Sequence, residues 1–393
     1  MATRIPLAWK NLTHDPRRLA VAVGGIGFAV LLMFMEAGFK NALIDSTVEI
    51  IARLDADLIL VSRAQYALPA QQRFDRQRLY QARACSGVIG AYPLYLESYY
   101  AVLKKVSHKG YPIRVIAYDL DHPILPDADI TRYIEKLRHP NSALIDAKSK
   151  RKYGIVTNDD TPLSDHRLEL SGRQLRLNGV FSLGTDFAND GNLLMSTVNF
   201  ARYFPMRSPG GDPLSSVDLG IIKLDPQALP QQRVAIQDQL RSTLSNDVLV
   251  QTKDEFLQQE KQFWNRATPV GYIFNVGMVM GFVVGIIVCY QIIYADIADH
   301  MNEFATLRAM GYRGSYFARL VIAESFYLSL LGFIPGLLAS LGLYYVLAWG
   351  TGLLLRLNAE RIGFVLLLTV VMCIVSGALA IRKVTAADPA ELF

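Results

Sequence analysis

Charged side chains are scarce in this chain: Asp, Glu, Lys and Arg make up 19% of 393 residues, against about 25% in an average soluble domain. That deficit argues against an ordinary soluble enzyme. Cysteine is nearly missing, with only Cys85, Cys289 and Cys373, none at C-x-x-C spacing; a disulfide-rich scaffold is excluded. No G-x-x-x-x-G-K-[ST] loop is present to cradle nucleotide phosphates, and neither G-x-S-x-G nor H-E-x-x-H occurs. The six histidines (His14, His108, His122, His139, His166 and His300) lack ligand spacing. The residues therefore point to no catalytic, cofactor-binding or metal site.

What the chain has in abundance is apolar length, 51% of its residues. Four charge-free runs stand out: Leu19 to Met35, Ala267 to Ala295, Ser325 to Leu355 and Ile362 to Ile381. A helix needs about 20 apolar residues to cross the hydrocarbon core. Three runs meet that, and the first does so if it continues through Phe39 with Glu36 at the interface. A cleavable signal peptide is the alternative for the first run, but its apolar part is long and no A-x-A site follows. Lys and Arg cluster at Arg4, Lys10, Arg17 and Arg18, at Arg308, Arg313 and Arg319, and at Arg382 and Lys383. The positive-inside rule then places both termini inside and residues from about Lys40 to Arg266 outside.

The outside segment reads as α/β. Asp57–Arg63 is strand-like, Asp75–Cys85 helix-like and Tyr95–Leu103 strand-like; the order recurs in Asp218–Leu224, Pro230–Leu244 and Val248–Thr252. Two βαβ units around a central insertion suggest a split ferredoxin-like base. The fold class expected is an α-helical membrane protein with four transmembrane helices plus a large α/β domain between the first and second. Its base would be the βαβ units 55–103 and 214–255, and its insertion, 104–213, a mostly β subdomain. The remaining divisions are an interfacial helix (1–17), the first span with a stalk (18–54), a stalk with the second span (256–295), an inside loop (296–317), the third span (318–349), a short loop (350–361), the fourth span (362–382) and a tail (383–393). The stalks, Lys40–Leu54 and Phe256–Ala267, carry apolar residues at helical spacing; two surface helices of the domain are the plainer reading.

Several features admit a functional and a bland reading. Gly277, Gly281 and Gly285, like Gly332, Gly336 and Ser340, stand four apart, which suits helix packing within one chain as well as dimerisation. Glu324 lies near a span end, where a carboxylate is a functional candidate, yet Arg319 is close enough for a local pair. Lys148, Lys150, Arg151 and Lys152 form a solvated face in preference to a lipid or glycan site. Leu170-Ser-Gly-Arg-Gln174 has the look of an ATPase signature but reads better as a turn between strands. Ala2–Thr13, with Ile5, Trp9 and Leu12 on one face, describes a helix in the headgroup layer. The inside loop Asp296–Gly314 is also amphipathic, with Ile297, Met301, Phe304 and Leu307 or Arg308 at helical spacing; membrane surface or a protein partner would cover that stripe.

At this loop a family pattern emerges. Tyr290-Gln-Ile-Ile-Tyr-Ala-Asp-Ile297, Glu303-Phe-Ala-Thr-Leu-Arg-Ala-Met-Gly-Tyr-Arg313, Glu324-Ser325 and Gly332-Phe-Ile-Pro-Gly336 resemble the FtsX-like permease family. Arg4–Leu12, Gly38-Phe39 and the ending Ile381–Phe393 look more narrowly like its DevC subgroup. The resemblance implies the membrane subunit of a MacB-type ABC exporter in a bacterial inner membrane, with a periplasmic domain. It implies a homodimer, a separate cytosolic ABC ATPase that binds the ATP, a periplasmic membrane-fusion adaptor and a TolC-like outer-membrane channel, and no nucleic acid. The chain departs from MacB in lacking a fused ATPase. On this resemblance the residues coupling to the ATPase are Ile297, Met301, Glu303, Phe304, Leu307, Arg308, Met310 and Gly311. Cargo such as glycolipid, as for DevC relatives, is one expectation; an FtsX-like regulator of periplasmic hydrolases without cargo is the other.

Overall fold

The computed structural model describes residues 7–105, 109–155, 168–208, 211–299, 301, 306, 310–312, 314–351 and 357–385. Two compact units divide the chain: residues 1–42 with 269–393, and residues 43–268.

The first unit is helical. A short α1 (Leu7–His14) is followed by α2 (Pro16–Arg53), an uninterrupted helix of 38 residues. Asp15 accepts from the backbone N–H groups of Arg17 and Arg18 at 3.0 and 3.2 Å, and Pro16 takes the first helical position, where a missing N–H costs nothing. Three more helices, numbered here α8 (Pro269–Asp299), α9 (Gly314–Thr351) and α10 (Ala359–Thr385), complete the set. All four long helices are long and apolar enough to cross a membrane. Their shared core includes Ile26 and Met33 of α2, Cys289 and Ile293 of α8, Val321 and Phe333 of α9, and Met372 and Ala380 of α10.

The second unit is mixed α/β. Its chain order is β1 (Leu58–Ser62), β2 (Phe74–Asp75), α3 (Gln77–Arg83), β3 (Val88–Glu97), β4 (Val102–Lys105), β5 (Tyr111–Pro112), β6 (Arg114–Tyr118), α4 (Ala128–Leu137), β7 (Ser142–Asp146), β8 (Leu168–Leu170), β9 (Arg173–Phe181), β10 (Asn192–Ser196), α5 (Thr197–Tyr203), β11 (Ser216–Val217), β12 (Leu219–Leu224), α6 (Pro230–Thr243), β13 (Val248–Thr252) and α7 (Lys253–Arg266). Eleven strands form one sheet, ordered β13-β1-β12-β3-β6-β10-β7-β9-β8-β4-β5. Each of its first four strands runs antiparallel to its neighbours, and the four belong to two β-α-β runs, which is the split βαβ base.

Alternation sorts the side chains. Leu58 and Leu60 of β1 face a core shared with Leu79 of α3, Phe200 of α5 and Leu240 of α6. Ile59 and Val61 point the other way, toward Ile50 and Ile51 of α2, Ile130 of α4 and Phe256 of α7. Helices thus cover both faces of the base.

Three details differ from the sequence reading. The strand expected at Tyr95–Leu103 is two strands, Val88–Glu97 and Val102–Lys105. Glu97 causes the break: its carboxylate accepts from the N–H groups of Tyr99 and Tyr100 at 3.0 and 3.2 Å, turning the chain out of the sheet. The insertion is not a separate subdomain, because β6 pairs antiparallel with β3 and extends the same sheet. On the second flank, helix and span are two helices. α7 ends at Arg266, and Pro269 opens α8, at a first helical position where its missing N–H leaves no hydrogen bond unmade.

Candidate functional site

The end of the helical unit where α8 stops holds the described candidate coupling residues. Ile297, in the last turn of α8, is 3% exposed, and Met301 packs on the same core. Met310 is exposed, and Gly311 sits at φ +95°, a backbone region that only glycine enters freely. Glu303, Phe304, Leu307 and Arg308 lie outside the described residues.

Around this end the charges are arranged. The last turn of α8 has no basic residue of its own; Arg18 of α2 supplies one, donating to Asp299 at 2.6 Å and lying 3.8 Å from Asp296. A cation there also suits the negative end of the α8 dipole. Asp299 is well exposed, so this pair contributes a few tenths to about 1 kcal/mol at most. Glu324 of α9 is buried beside it, lining a small cavity of about 40 Å³ with His14, Arg18 and Asp296. Trp9 of α1 meets Tyr327 of α9 edge-on, with ring centroids 5.6 Å apart.

The five span glycines picked out by their spacing face neighbouring helices of the same chain. A Cβ on Gly336 would lie 2.7 Å from the Gly27 carbonyl oxygen, and one on Gly281 3.7 Å from Met33. Gly277 lies against Glu36, Gly285 against Met372 and Ala29, and Gly332 against Ile26. Small residues here let α2 approach α8 and α9 closely.

In the α/β unit, a cleft of about 210 Å³ is lined by Thr47, Leu68, Ser98, Arg114, Asn189 and Trp264, among others. Its polar groups are engaged with one another. Arg114 donates from Nη1 to Asp186 at 2.6 Å and from Nε to Asn192 at 2.8 Å; Ser98 donates to Asn189 at 3.2 Å. Two of the lining residues, Leu68 and Trp264, are held by Glu260 of α7, which is 1% exposed. The Leu68 N–H donates to both its oxygens, at 3.1 and 3.0 Å, and the Trp264 indole N–H donates to Oε1 at 2.9 Å. Burial pushes the Glu260 carboxyl up to about 7, against the pull of those N–H donors, and the charge of Asp186 adds to the rise.

Sequence reasoning missed Arg114, Asp186 and Glu260. The one signal was Arg114, a charge opening an otherwise uncharged strand whose five residues are all buried. Elsewhere, Lys150 and Lys152 both pair with Asp190, a surface arrangement. Ser171 and Gly172 adopt φ +51° and +79° in the two-residue hairpin between β8 and β9, so the signature-like run is a turn. Among the described residues no three His, Cys, Asp or Glu side chains gather as a metal site.

Residues 275–389, from α8 to past the end of α10, match the family model described as FtsX-like permease C-terminal. The chain carries an FtsX-like permease region. The motifs quoted above from Tyr290 to Gly336 fall within that match. No curated protein matches the chain. Similar solved structures include the periplasmic region of MacB from Actinobacillus actinomycetemcomitans, at 14% identity and TM-score 0.36, covering 53% of this chain and 94% of that one. The extracellular domain of the noncanonic ABC-type transporter YknZ from Gram-positive bacteria is 12% identical at TM-score 0.31, covering 50% and 99%. A domain of a putative permease protein from Porphyromonas gingivalis is 14% identical at TM-score 0.31, covering 51% and 87%. Strand order in the sheet, not these likenesses, defines the fold of the α/β unit. The FtsX-like region spans three of the four long apolar helices and the loop that joins α8 to α9.

Proposed function

We propose that this chain is the membrane subunit of a MacB-type ABC exporter, close to the DevC branch, and works as a homodimer in a bacterial inner membrane. Both termini are cytoplasmic and the α/β unit is periplasmic. A separate cytosolic ABC ATPase binds and hydrolyses ATP; this chain turns the resulting movement into work on a periplasmic adaptor that leads to a TolC-like outer-membrane channel. The observation that carries this reading is the FtsX-like permease match over residues 275–389. The unbroken run of α2 from Pro16 to Arg53 supports it: the helix starts in the membrane unit and ends in the α/β unit, a stiff link for movement.

In this reading the 296–314 loop docks the ATPase through its apolar stripe. Phe304→Asp and Leu307→Asp would each place a charge in an apolar contact, where an unpaired buried charge is costly. Affinity purification of the tagged chain from its native host, followed by mass spectrometry, tests the whole proposal. Wild type should bring down an ABC ATPase and a membrane-fusion adaptor, and both Asp variants should lose the ATPase at unchanged abundance. An ATPase without any adaptor, accompanied by a cell-wall hydrolase, would replace export with an FtsX-like regulatory role. Retention of the ATPase by both variants would place the helix on lipid.

A further inference from the structure

Glu260 has a feature that neither the fold nor the permease reading requires. It is a carboxylate at 1% exposure whose hydrogen-bond partners are N–H groups, with no salt-bridge cation among the described residues. Those donors come from two places. Leu68 belongs to the segment 64–71 after β1, and Trp264 lies one turn along α7 from Glu260 itself. A single side chain therefore fastens that segment to α7 and fixes the indole that lines the cleft.

We propose that Glu260 is a proton-operated latch: protonated, it holds the 64–71 segment closed on α7, and ionised, it favours release of that segment to water. The two hydrogen bonds from Leu68 and Trp264 can be accepted by either form. What decides between them is burial, which disfavours the charged form by more than the N–H donors favour it. The surrounding charges leave that penalty uncompensated. Asp186, from the segment after β9, is tied to Arg114 of β6. Lys261, next along α7, is turned to Asp45 of α2 at 3.1 Å, and Arg53 of α2 pairs with Glu49 at 2.9 Å. The 64–71 segment and β1 carry no charged side chain. Arg63, between β1 and that segment, is turned to Asn246 at 3.1 Å. A neighbouring anion and no cation paired with Glu260 among the described residues leave protonation as the way to relieve the buried charge.

The direction follows from linkage. The closed form holds its proton up to about pH 7, whereas an open, hydrated Glu260 would return toward the ordinary 4.5. Closure is therefore strengthened as pH falls from about 7 toward 4.5 and weakened above 7. The ratio of closed to open changes by on the order of a hundredfold across that window. A periplasmic site would meet the external pH directly.

The test is hydrogen–deuterium exchange on the full chain in lipid nanodiscs, from pH 5.5 to 8.5, with rates corrected for intrinsic exchange. Protection of the Leu68 amide should fall at least tenfold over that range in wild type. Glu260→Gln, which keeps an acceptor but cannot ionise, should show a flat profile. In a W9F, W349F background the remaining Trp264 emission should titrate with a midpoint near 7 and lose that titration in E260Q. Constant Leu68 protection in wild type, or an identical pH dependence in E260Q, would overturn the latch. Should E260Q fail to accumulate, the wild-type Leu68 and Trp264 titrations decide the matter alone.

Discussion

Arg207 donates to Asp218 at 2.7 Å with the two side chains 0% and 4% exposed. The pair closes a buried cluster: Arg207 also reaches Glu97 at 3.4 Å, and Arg73 bonds both Glu97 and Asp218 at 3.0 and 3.2 Å. Burial pushes the Asp218 carboxyl up, while Arg207, Arg73 and the Leu96 N–H pull against it. Glu97 is the last residue of β3 and Asp218 precedes β12, so the cluster sits where the insertion leaves and re-enters the base.

Removing one member should cost more than the cluster contributes as a whole, because the partner is left buried and unpaired. Arg207→Ala should destabilise the α/β unit by about 3–5 kcal/mol. Thermal unfolding monitored by cysteine accessibility at the buried Cys85 checks this, with the surface change Arg138→Ala as a control that should leave the transition in place.

Two glycines of α9 should respond oppositely to the same change. Gly336→Ala drives a methyl into the Gly27 carbonyl oxygen, which cannot move aside, and should destabilise by about 1–3 kcal/mol. Gly342 has nothing within 4 Å, so Gly342→Ala should be neutral or stabilise by up to about 1 kcal/mol through helix propensity. Thermal aggregation of purified protein in detergent distinguishes them. Equal behaviour would mean that α2 and α9 do not meet at Gly27.

Cys289 of α8 and Cys373 of α10 lie with their Sγ atoms 3.6 Å apart, both buried. A mild membrane-permeant oxidant should join them, and tryptic peptides from the two helices should then migrate as one until reduced. No such joining should involve Cys85, which is in the other unit. Failure to cross-link would argue against the α8–α10 pairing.

Topology is checked with the native cysteines replaced. A cysteine at Asp238, on the exposed side of α6, should react with an impermeant maleimide added to periplasm-exposed cells; one at Ser315 should react only after the inner membrane is opened. Reaction of both from one side would refute the four-span arrangement.

The four spans were legible because lipid demands a long uncharged run, a pattern that local sequence carries completely. So were β1, β12 and β13, where Val, Ile and Leu runs are bounded by Asp or Lys. Legibility failed where partners are distant along the chain. Nothing near Glu260 announces the Leu68 amide, and nothing near Arg207 announces Glu97. Strand β3 was misplaced because Gly90 and Pro93 dilute its β pattern, although pairing with β12 overrides them. The coupling stripe from Ile297 to Gly311 was read from spacing together with the family resemblance, and four of its eight residues lie outside the described ones.

The pairing of β3 with β6 has a consequence for anyone dissecting the molecule. In the intact sheet β3 lies between two strands, pairing with β12 over Val88–Leu94 and with β6 over Leu94–Glu97. Excising the insertion would free the row facing β6 and leave Leu94–Glu97 as an apolar edge, a template for pairing with a second copy. The insertion is thus also the cover for one edge of the four-stranded base.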